Sequence, residues 1–317
     1  MAKATRNSFG ETLERLGASN QDLVVLDADL GKSTCTVGFM KKFPERHFDF
    51  GIAEQNMIGA AAGMALCGKV PVAASFACFL IGRLETIRVA VAYNKTNVKL
   101  AGTHAGIGIG DDGTSQMGLE DVAAMRALPN MTVLQPGDDI EAQQMTEWMV
   151  GHQGPVYIRL TRQKLADVHS AGYTFRLGIA DVVHEPAPPK KGAAPKLQAT
   201  VFASGGTVGP AVDAAKDLAK RGFQVRVINA GTLLPFDIDA VARAAADSQR
   251  LVTVEDHNII GGLGSAVCEA LGVQGLACPV VRLGMSTFGE SATGEELYEK
   301  YGLSAPHIVE ACLKNLN

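Results

Sequence analysis

Apolar positions along this chain recur with two different periods, and the two alternate from one end to the other. Residues 4–17 place Phe9, Leu13 and Leu16 three or four apart, the spacing of one helix face. "LVVLDAD" at 23–29 is a short apolar run that ends in acids. It predicts a parallel strand, buried on both faces, that delivers polar groups at its C-terminal end. The alternation continues as helix 52–67, strand 70–75 ("VPVAAS"), helix 79–93 and strand 98–104 running into a glycine loop. Helix 117–128, strand 131–135, helix 138–150 and strand 156–161 ("VYIRLT") follow.

The pattern then breaks at "EPAPPKKGAAPK" (185–196), whose Pro, Lys and Ala content predicts an exposed, mobile loop. Beyond it the strands "LQATVFASGG", "FQVRVINAG", "RLVTVEDH" and "CPVVRLG" alternate with helices 207–221, 237–247 and 262–272. Helices 293–300 and 305–315 close the chain. Serial αβ units of this kind imply an α/β fold of two doubly wound domains. The first is expected over residues 1–168. A smaller second one is expected over 175–317, with the Pro-rich loop just inside it because "GIADVVHE" reads as an early strand.

Charge and composition narrow the function. A net charge of −4 lacks the basic footprint that a nucleic-acid binder needs. The longest apolar stretch, around Met57 to Cys67, is too short for a membrane span. "MAKATRNSFGETLERLG" has no apolar signal core and reads as the start of a cytoplasmic protein. The cysteines at 35, 67, 78, 268, 278 and 312 form no CxxC pair, so buried, reduced thiols are expected rather than disulfides or zinc. Histidines 47, 152, 169, 184 and 307 are scattered without ligand spacing, and no metal ligands are expected from this chain.

"LGKST" (30–34) resembles half a phosphate loop, but Leu26 stands where the first glycine belongs, and Asp27 and Asp29 would repel phosphates. "GTHAGIGIGDDGTSQMG" (102–118) does not fit a dinucleotide fingerprint. Its glycines let backbone approach a ligand, and His104 and Asp112 give it polar heads; a purely structural loop fits equally well. "DHNIIGGLGSAV" (256–267) reads as a packing turn at a helix start. Phe76 and Phe79, three apart at a strand-to-helix junction, suit either a core or a surface for a flat heterocycle. Glu54 stands at the front of a buried-looking helix, either facing water under the helix dipole or held half-buried for chemistry.

Together "FGIAEQNMIGAAAGMAL", "PVAASFACFLIGR", "GTHAGIGIGDDGTSQMGLEDVA" and "MSTFGESA" resemble the transketolase family, in order and over nearly the whole chain. The resemblance covers that family's pyrimidine-binding and C-terminal domains. The part carrying GDG…N, which holds Mg2+ and the diphosphate of thiamine diphosphate, is missing; "GDDG" at 110–113 does not replace it. The resemblance therefore implies the C-terminal subunit of a split transketolase. Its expected partner is an N-terminal subunit that carries the metal and diphosphate site, in an α2β2 heterotetramer.

The same resemblance assigns roles. Glu54 matches the glutamate that faces N1′ of the cofactor's aminopyrimidine, where a carboxyl kept from bulk water favours the imino tautomer. Phe76 and Phe79 match the ring pocket, and Asp29 an acid near the cofactor. Arg6, Ser33, His104 and Arg162 match sugar-phosphate contacts, with His104 also placed among the catalytic groups. Asp112 matches an acid that meets a substrate hydroxyl. Two positions depart from many members: Gln116 stands where His is common, and Gly82 where a third aromatic is common. Gln can bind a hydroxyl but cannot shuttle a proton at neutral pH. The implied activity is transfer of a two-carbon ketol unit from a ketose phosphate to an aldose phosphate. The sugars are left open between pentose-phosphate substrates and a branched or sulfonated ketose. Rival readings are a deoxyxylulose-phosphate synthase-like chain, a 2-oxoacid dehydrogenase β-like chain, or a non-catalytic scaffold subunit.

Overall fold

A computed structural model of the chain describes residues 2–187 and 197–314. Most of the Pro-rich loop expected at 185–196 lies outside these residues. The strands are β1 (Lys3–Ala4), β2 (Leu23–Asp27), β3 (His47–Asp49), β4 (Val70–Phe76), β5 (Lys99–Thr103), β6 (Thr132–Leu134) and β7 (Val156–Arg159). They continue as β8 (Lys164–Leu165), β9 (Asp181–His184), β10 (Ala199–Ala203), β11 (Val225–Asn229), β12 (Thr232–Leu234), β13 (Leu251–Asn258) and β14 (Val280–Met285).

The first sheet has the order β12-β6-β7-β5-β4-β2-β3, parallel except for β12. Its inner strands β2 and β4 are apolar on both faces because helices cover both. Leu23 and Val25 of β2 pack with Phe9, Leu13, Phe39 and Met149 on one side. Val24 and Leu26 pack with Met57, Ile58 and Ala61 on the other. Each such buried Leu or Val stabilises the fold by roughly 1.5–3 kcal/mol. The second sheet has the order β14-β13-β10-β11-β9, with only β9 antiparallel. A third, two-stranded pair, β1 with β8, is antiparallel and carries the N-terminus alongside residues 164–165.

The two halves share a core. Phe202, Ile228 and Val241 of the second half lie in one apolar cluster with Leu26, Met57 and Leu100 of the first. Conversely Ile107, Ile109, Met117 and Leu119, from the glycine loop after β5, pack with Val201, Val254 and Leu297. β12 leaves the second half to pair with β6, an exchange that the expected clean break near 175 did not foresee.

Other expectations need correction. The helix expected at 79–93 is three pieces, Ala77–Ile81, Leu84–Thr86 and a π-turn segment Ile87–Tyr93, with the break at Gly82 and Arg83. The helix expected at 117–128 is only Asp121–Arg126, because Met117 and Leu119 turn away into the second half's core. The helix Val37–Lys42 and edge strand β3 were not expected. The six cysteines are free, as expected, but only Cys312 is buried; Cys67 and Cys268 are exposed on helix ends and faces. Among the described residues no helix is long and apolar enough to cross a membrane.

A buried polar knot holds the glycine loop between the halves. Arg159, on β7, donates from Nε to Asp121 Oδ2 at 2.8 Å, and Tyr157 OH donates to the same oxygen at 2.6 Å. Arg159 Nη2 then donates to the carbonyls of Gly118 and Asp256, at 2.8 and 2.9 Å. From the second half, Asp256 accepts the amides of Ile107 and Gly108 at 2.7 and 3.1 Å and the Tyr298 hydroxyl at 2.9 Å. Gly106, at φ +80°, leaves the room this needs, since a Cβ there would stand 2.2 Å from an Asp256 oxygen. Burial alone would raise the Asp121 carboxyl, but Arg159 and His257 beside it hold it below its usual range.

Arg159 and Asp121 are 1% and 0% exposed, so neutralising one leaves a buried charge without its counterion. Asp121→Asn is expected to lower the unfolding free energy by about 3–5 kcal/mol. Urea unfolding measures this; a loss well under 1 kcal/mol would contradict the account.

Candidate active site

The C-terminal ends of β2, β4, β5 and β7 converge on one edge of the first sheet, where open α/β sheets bind ligands. His104 follows β5 directly and takes φ +55°, a left-handed conformation that costs a non-glycine residue roughly 1–2 kcal/mol. Its ring is 2% exposed and stacks on Phe76 at 3.8 Å between centroids. Phe76 in turn stacks on Phe79, with centroids 5.3 Å apart and planes 7° from parallel. Phe76 is buried and Phe79 half-buried, so the pair offers one partly open ring face.

The hydrogen bonds of His104 fix its tautomer. Nε2 lies 2.7 Å from Arg6 Nη1, and a guanidinium can only donate, so Nε2 accepts. Nδ1 then carries the proton and donates to Thr103 Oγ1 at 2.9 Å, whose own proton goes to the Ser75 carbonyl at 3.3 Å. Burial, together with the positive charges of Arg6 and Arg162, pushes the His104 pKa down to about 3. This imidazole is therefore neutral and an acceptor at ordinary pH.

Arg6 gets here because β1 pairs with β8 and the Thr161 amide bonds to Thr5 Oγ1 at 2.8 Å. The same guanidinium donates to the Ser33 carbonyl at 2.9 Å. Ser33 itself sits on the short helix Gly31–Thr34. Arg6 Nε is buried with no partner among the described residues. Arg162 donates to the Ile109 carbonyl at 2.5 Å, which leaves part of its guanidinium for other acceptors. Both arginines line a cleft of about 920 Å³ between the halves, along with Gly108, Gln163, Thr293 and Tyr298. Two guanidiniums with no ion pair among the described residues, side by side in a cleft, suit an anion.

Glu54 is the first residue of the helix Glu54–Leu66 and is only 4% exposed, so it is not a solvent-facing first-turn acid. Ser75 Oγ lies 3.5 Å from Oε1 and Arg83 Nη2 4.0 Å from Oε2. Glu54, Asn56, Gly59 and Arg83 line a separate depression of about 580 Å³. The structure thus joins Glu54, Ser75, Thr103, His104 and Arg6 in a continuous string of polar contacts. Phe76 and Phe79 lie along it. Asp29 stands apart, exposed at φ +59° with its amide on Asp49 Oδ1. Asp112 is exposed on the glycine loop, and the Gln116 carbonyl accepts the Cys78 thiol at 3.2 Å. Ser75, Thr103 and Arg83 were not singled out in the sequence. Arg83 could have been, since it ends the "FLIGR" string one residue past Gly82.

Two turns resembling phosphate loops are filled by the chain's own acids. Asp27 accepts the Leu30 amide and the hydroxyls of Thr34 and Thr36. Glu255 accepts the Leu263 and Gly264 amides at 2.7 and 2.8 Å.

Residues 1–167 match the family model "Transketolase, pyrimidine binding domain", and residues 193–308 match "Transketolase, C-terminal domain". The chain is 39% identical to a putative transketolase C-terminal section of Methanocaldococcus jannaschii, over 99% of this chain and 96% of that one. It is 37% identical to a 6-deoxy-6-sulfo-D-fructose transketolase subunit of a Clostridium species, over 96% of this chain and 92% of that one. A solved structure described as a split gene transketolase, inactive β4 tetramer, superposes with a TM-score of 0.87 at 40% identity. That match covers 100% of this chain and 99% of the other.

A histidine with a depressed folded-state pKa contributes stability above its unfolded value near 6.5 and loses it as pH falls toward the folded value of about 3. Imidazole 15N spectra are expected to show His104 neutral and protonated at Nδ1 at pH 5. Titration near pH 6.5, or the other tautomer, would refute the hydrogen-bond assignment.

Proposed function

Since this chain belongs to the transketolase family, we propose that it is the C-terminal subunit of a two-chain, thiamine-diphosphate-dependent transketolase. Joined to an N-terminal subunit, it moves a two-carbon ketol unit from a ketose phosphate to an aldose phosphate in the cytoplasm. Residues 1–168 form the pyrimidine-binding unit and 175–317 the C-terminal unit. The observation that carries this reading is the buried Glu54 carboxylate, linked through Ser75 and Thr103 to the His104–Arg6 pair.

The residues present fit the pyrimidine end of the cofactor. Phe76 and Phe79 offer a flat aromatic surface, and Glu54 is a carboxyl shielded from water that Ser75, the residue before Phe76, contacts. No string in the chain supplies the GDG…N that would hold Mg2+ and the diphosphate, so those fall to the partner. When bound, thiamine diphosphate supplies the carbon nucleophile that takes up and hands on the two-carbon unit. Glu54 holds a proton toward the aminopyrimidine nitrogen. Arg83 Nη2, 4.0 Å from the Glu54 carboxyl, places a positive charge beside it. Arg6 and Arg162 grip the sugar phosphate in the cleft, and neutral His104, whose Nε2 accepts from Arg6, orients that guanidinium. Ser33 lies at the same guanidinium through its carbonyl. Asp112 and Gln116 meet sugar hydroxyls, Gln116 by hydrogen bonding without proton transfer. Asp29, at the strand end beside Asp49, borders the cofactor.

An apolar stripe supports a partner at this site. Gln55, Asn56, Gly59, Gly63 and Leu66 form the exposed face of the Glu54–Leu66 helix and Ile52 stands just before it, with Ile52 86% and Leu66 76% exposed. Among the described residues, nothing beyond the helix's own backbone lies within 4 Å of a Cβ built at Gly59 or Gly63, so another backbone could approach closely. An α2β2 heterotetramer is the assembly we expect, and the inactivity named for the β4 relative agrees with a need for the other subunit.

In the reconstituted two-subunit enzyme, Glu54→Gln is expected to cut kcat by at least about 100-fold while assembly persists. Unchanged turnover would instead favour a scaffold role. Arg162→Ala removes a charge-assisted contact worth about 1.5–3 kcal/mol, so KM for phosphorylated sugars should rise by roughly 10-fold or more. Steady-state kinetics over a panel of ketose phosphates, including branched and sulfonated ketoses, measures this and identifies the donor; an unaltered KM would remove Arg162 from the phosphate site.

A further inference from the structure

Away from the cleft, three segments distant in sequence bring chemistry together. Glu141 lies on the helix Asp139–Gly151, His169 on the connector between the halves, and Asp181 at the start of β9. One potential ligand atom of each lies within 4.8 Å of the others. Glu141 is buried, and the His169 side chain is 4% exposed.

The decisive atom is His169 Nε2. It is buried and has no hydrogen-bond partner among the described residues. An imidazole nitrogen left unpaired inside a protein forfeits a hydrogen bond, so such atoms call for an explanation. The opposite nitrogen is fully specified. Nδ1 lies 2.9 Å from Asp138 Oδ2, which also accepts the His169 and Val168 amides at 2.8 and 2.9 Å. Asp138 is itself fixed as the N-cap of its helix, its Oδ1 accepting the Glu141 amide at 2.9 Å. A carboxylate on one ring nitrogen that aims the other at a ligand is the usual outer support of a metal-binding histidine.

The carboxylate opposite is held in the same manner. Glu141 Oε2 accepts the Gly137 amide at 2.7 Å and Asn229 Nδ2 at 2.8 Å, and Oε1 accepts Tyr173 OH at 2.9 Å. The Tyr173 ring lies against His169, centroids 4.0 Å apart, and walls that side. We propose that Glu141, His169 and Asp181 form a binding site for one divalent ion of the zinc class, which clasps the connector to both halves. One imidazole and two carboxylates are a nitrogen–oxygen set that suits Zn2+ or Co2+ better than Mg2+ or Ca2+. None of the three residues lines the sugar cleft, and the site does not depend on the proposed reaction. It departs from the expectation that this chain offers no metal ligands.

The full chain, stripped with a chelator and dialysed, is titrated with Zn2+ by calorimetry and with Co2+ by absorption spectroscopy. The expected result is one ion per chain, a higher Tm, and Co2+ bands without the thiolate charge transfer that Cys67 or Cys268 would give. Affinity should fall as pH is lowered, because the ligating nitrogen must be free of its proton. Asp181→Asn and His169→Gln should each weaken binding at least tenfold. Circular dichroism of the metal-free variants checks their fold, and if His169→Gln does not fold, Asp181→Asn with the pH series decides. No saturable uptake, wild-type affinity in Asp181→Asn, or a thiolate band would each overturn the proposal.

Discussion

Everything at the sheet's working edge depends on one buried pair, Arg159 and Asp121. β7 projects a guanidinium into a space from which water is excluded, and only a carboxylate can settle it there. The two remaining donor contacts of that guanidinium bind backbone carbonyls on either side of the junction, at Gly118 and Asp256. Asp256 then seizes the amides of the glycine loop. A charge that must be buried thus fixes the path of a flexible loop, and the loop fixes His104 at its head and Asp112 and Gln116 at its tail. Desolvating such a pair contributes little net stability, but its geometry admits few alternatives.

The string from Glu54 to Arg6 shows the same logic at smaller scale. The direction of each bond along it is set by what an arginine or a threonine can do, Arg6 Nη1 donating to both the His104 ring and the Ser33 carbonyl. A left-handed backbone at His104 is tolerated because stacking and two hydrogen bonds hold it. Burial first, and the two guanidiniums nearby second, keep that imidazole uncharged. The site is therefore positively charged where an anion would sit and neutral where its arginine is steered.

Much of this was legible in the residues. β2 and β4 stand out as continuous apolar runs because both of their faces are covered, and Glu54 stands out as a carboxylate before a helix of small apolar residues. Local pattern could not show partners. Thr232–Leu234 contains nothing to say that its strand pairs with β6 rather than with its neighbours in sequence. Arg159 reads as one polar letter in a strand, since its counterion lies in a helix 38 residues earlier. The break at Gly82 was hidden by good helix formers on both sides. Exposed Cys67 and Cys268 lie among apolar letters, yet burial depends on which face a helix turns to the core. Glu141, His169 and Asp181 have no motif spacing at all; only the fold makes them neighbours.

The strand β12 carries a consequence for how such a chain can be divided. It belongs by sequence to the second half but closes one margin of the first sheet. A half parted from the other would lose the outer neighbour of β6 and leave a row of unpaired peptide groups, an adhesive border that folded proteins normally cover. Gene fission or proteolytic nicking at the connector would then yield fragments that must find each other again.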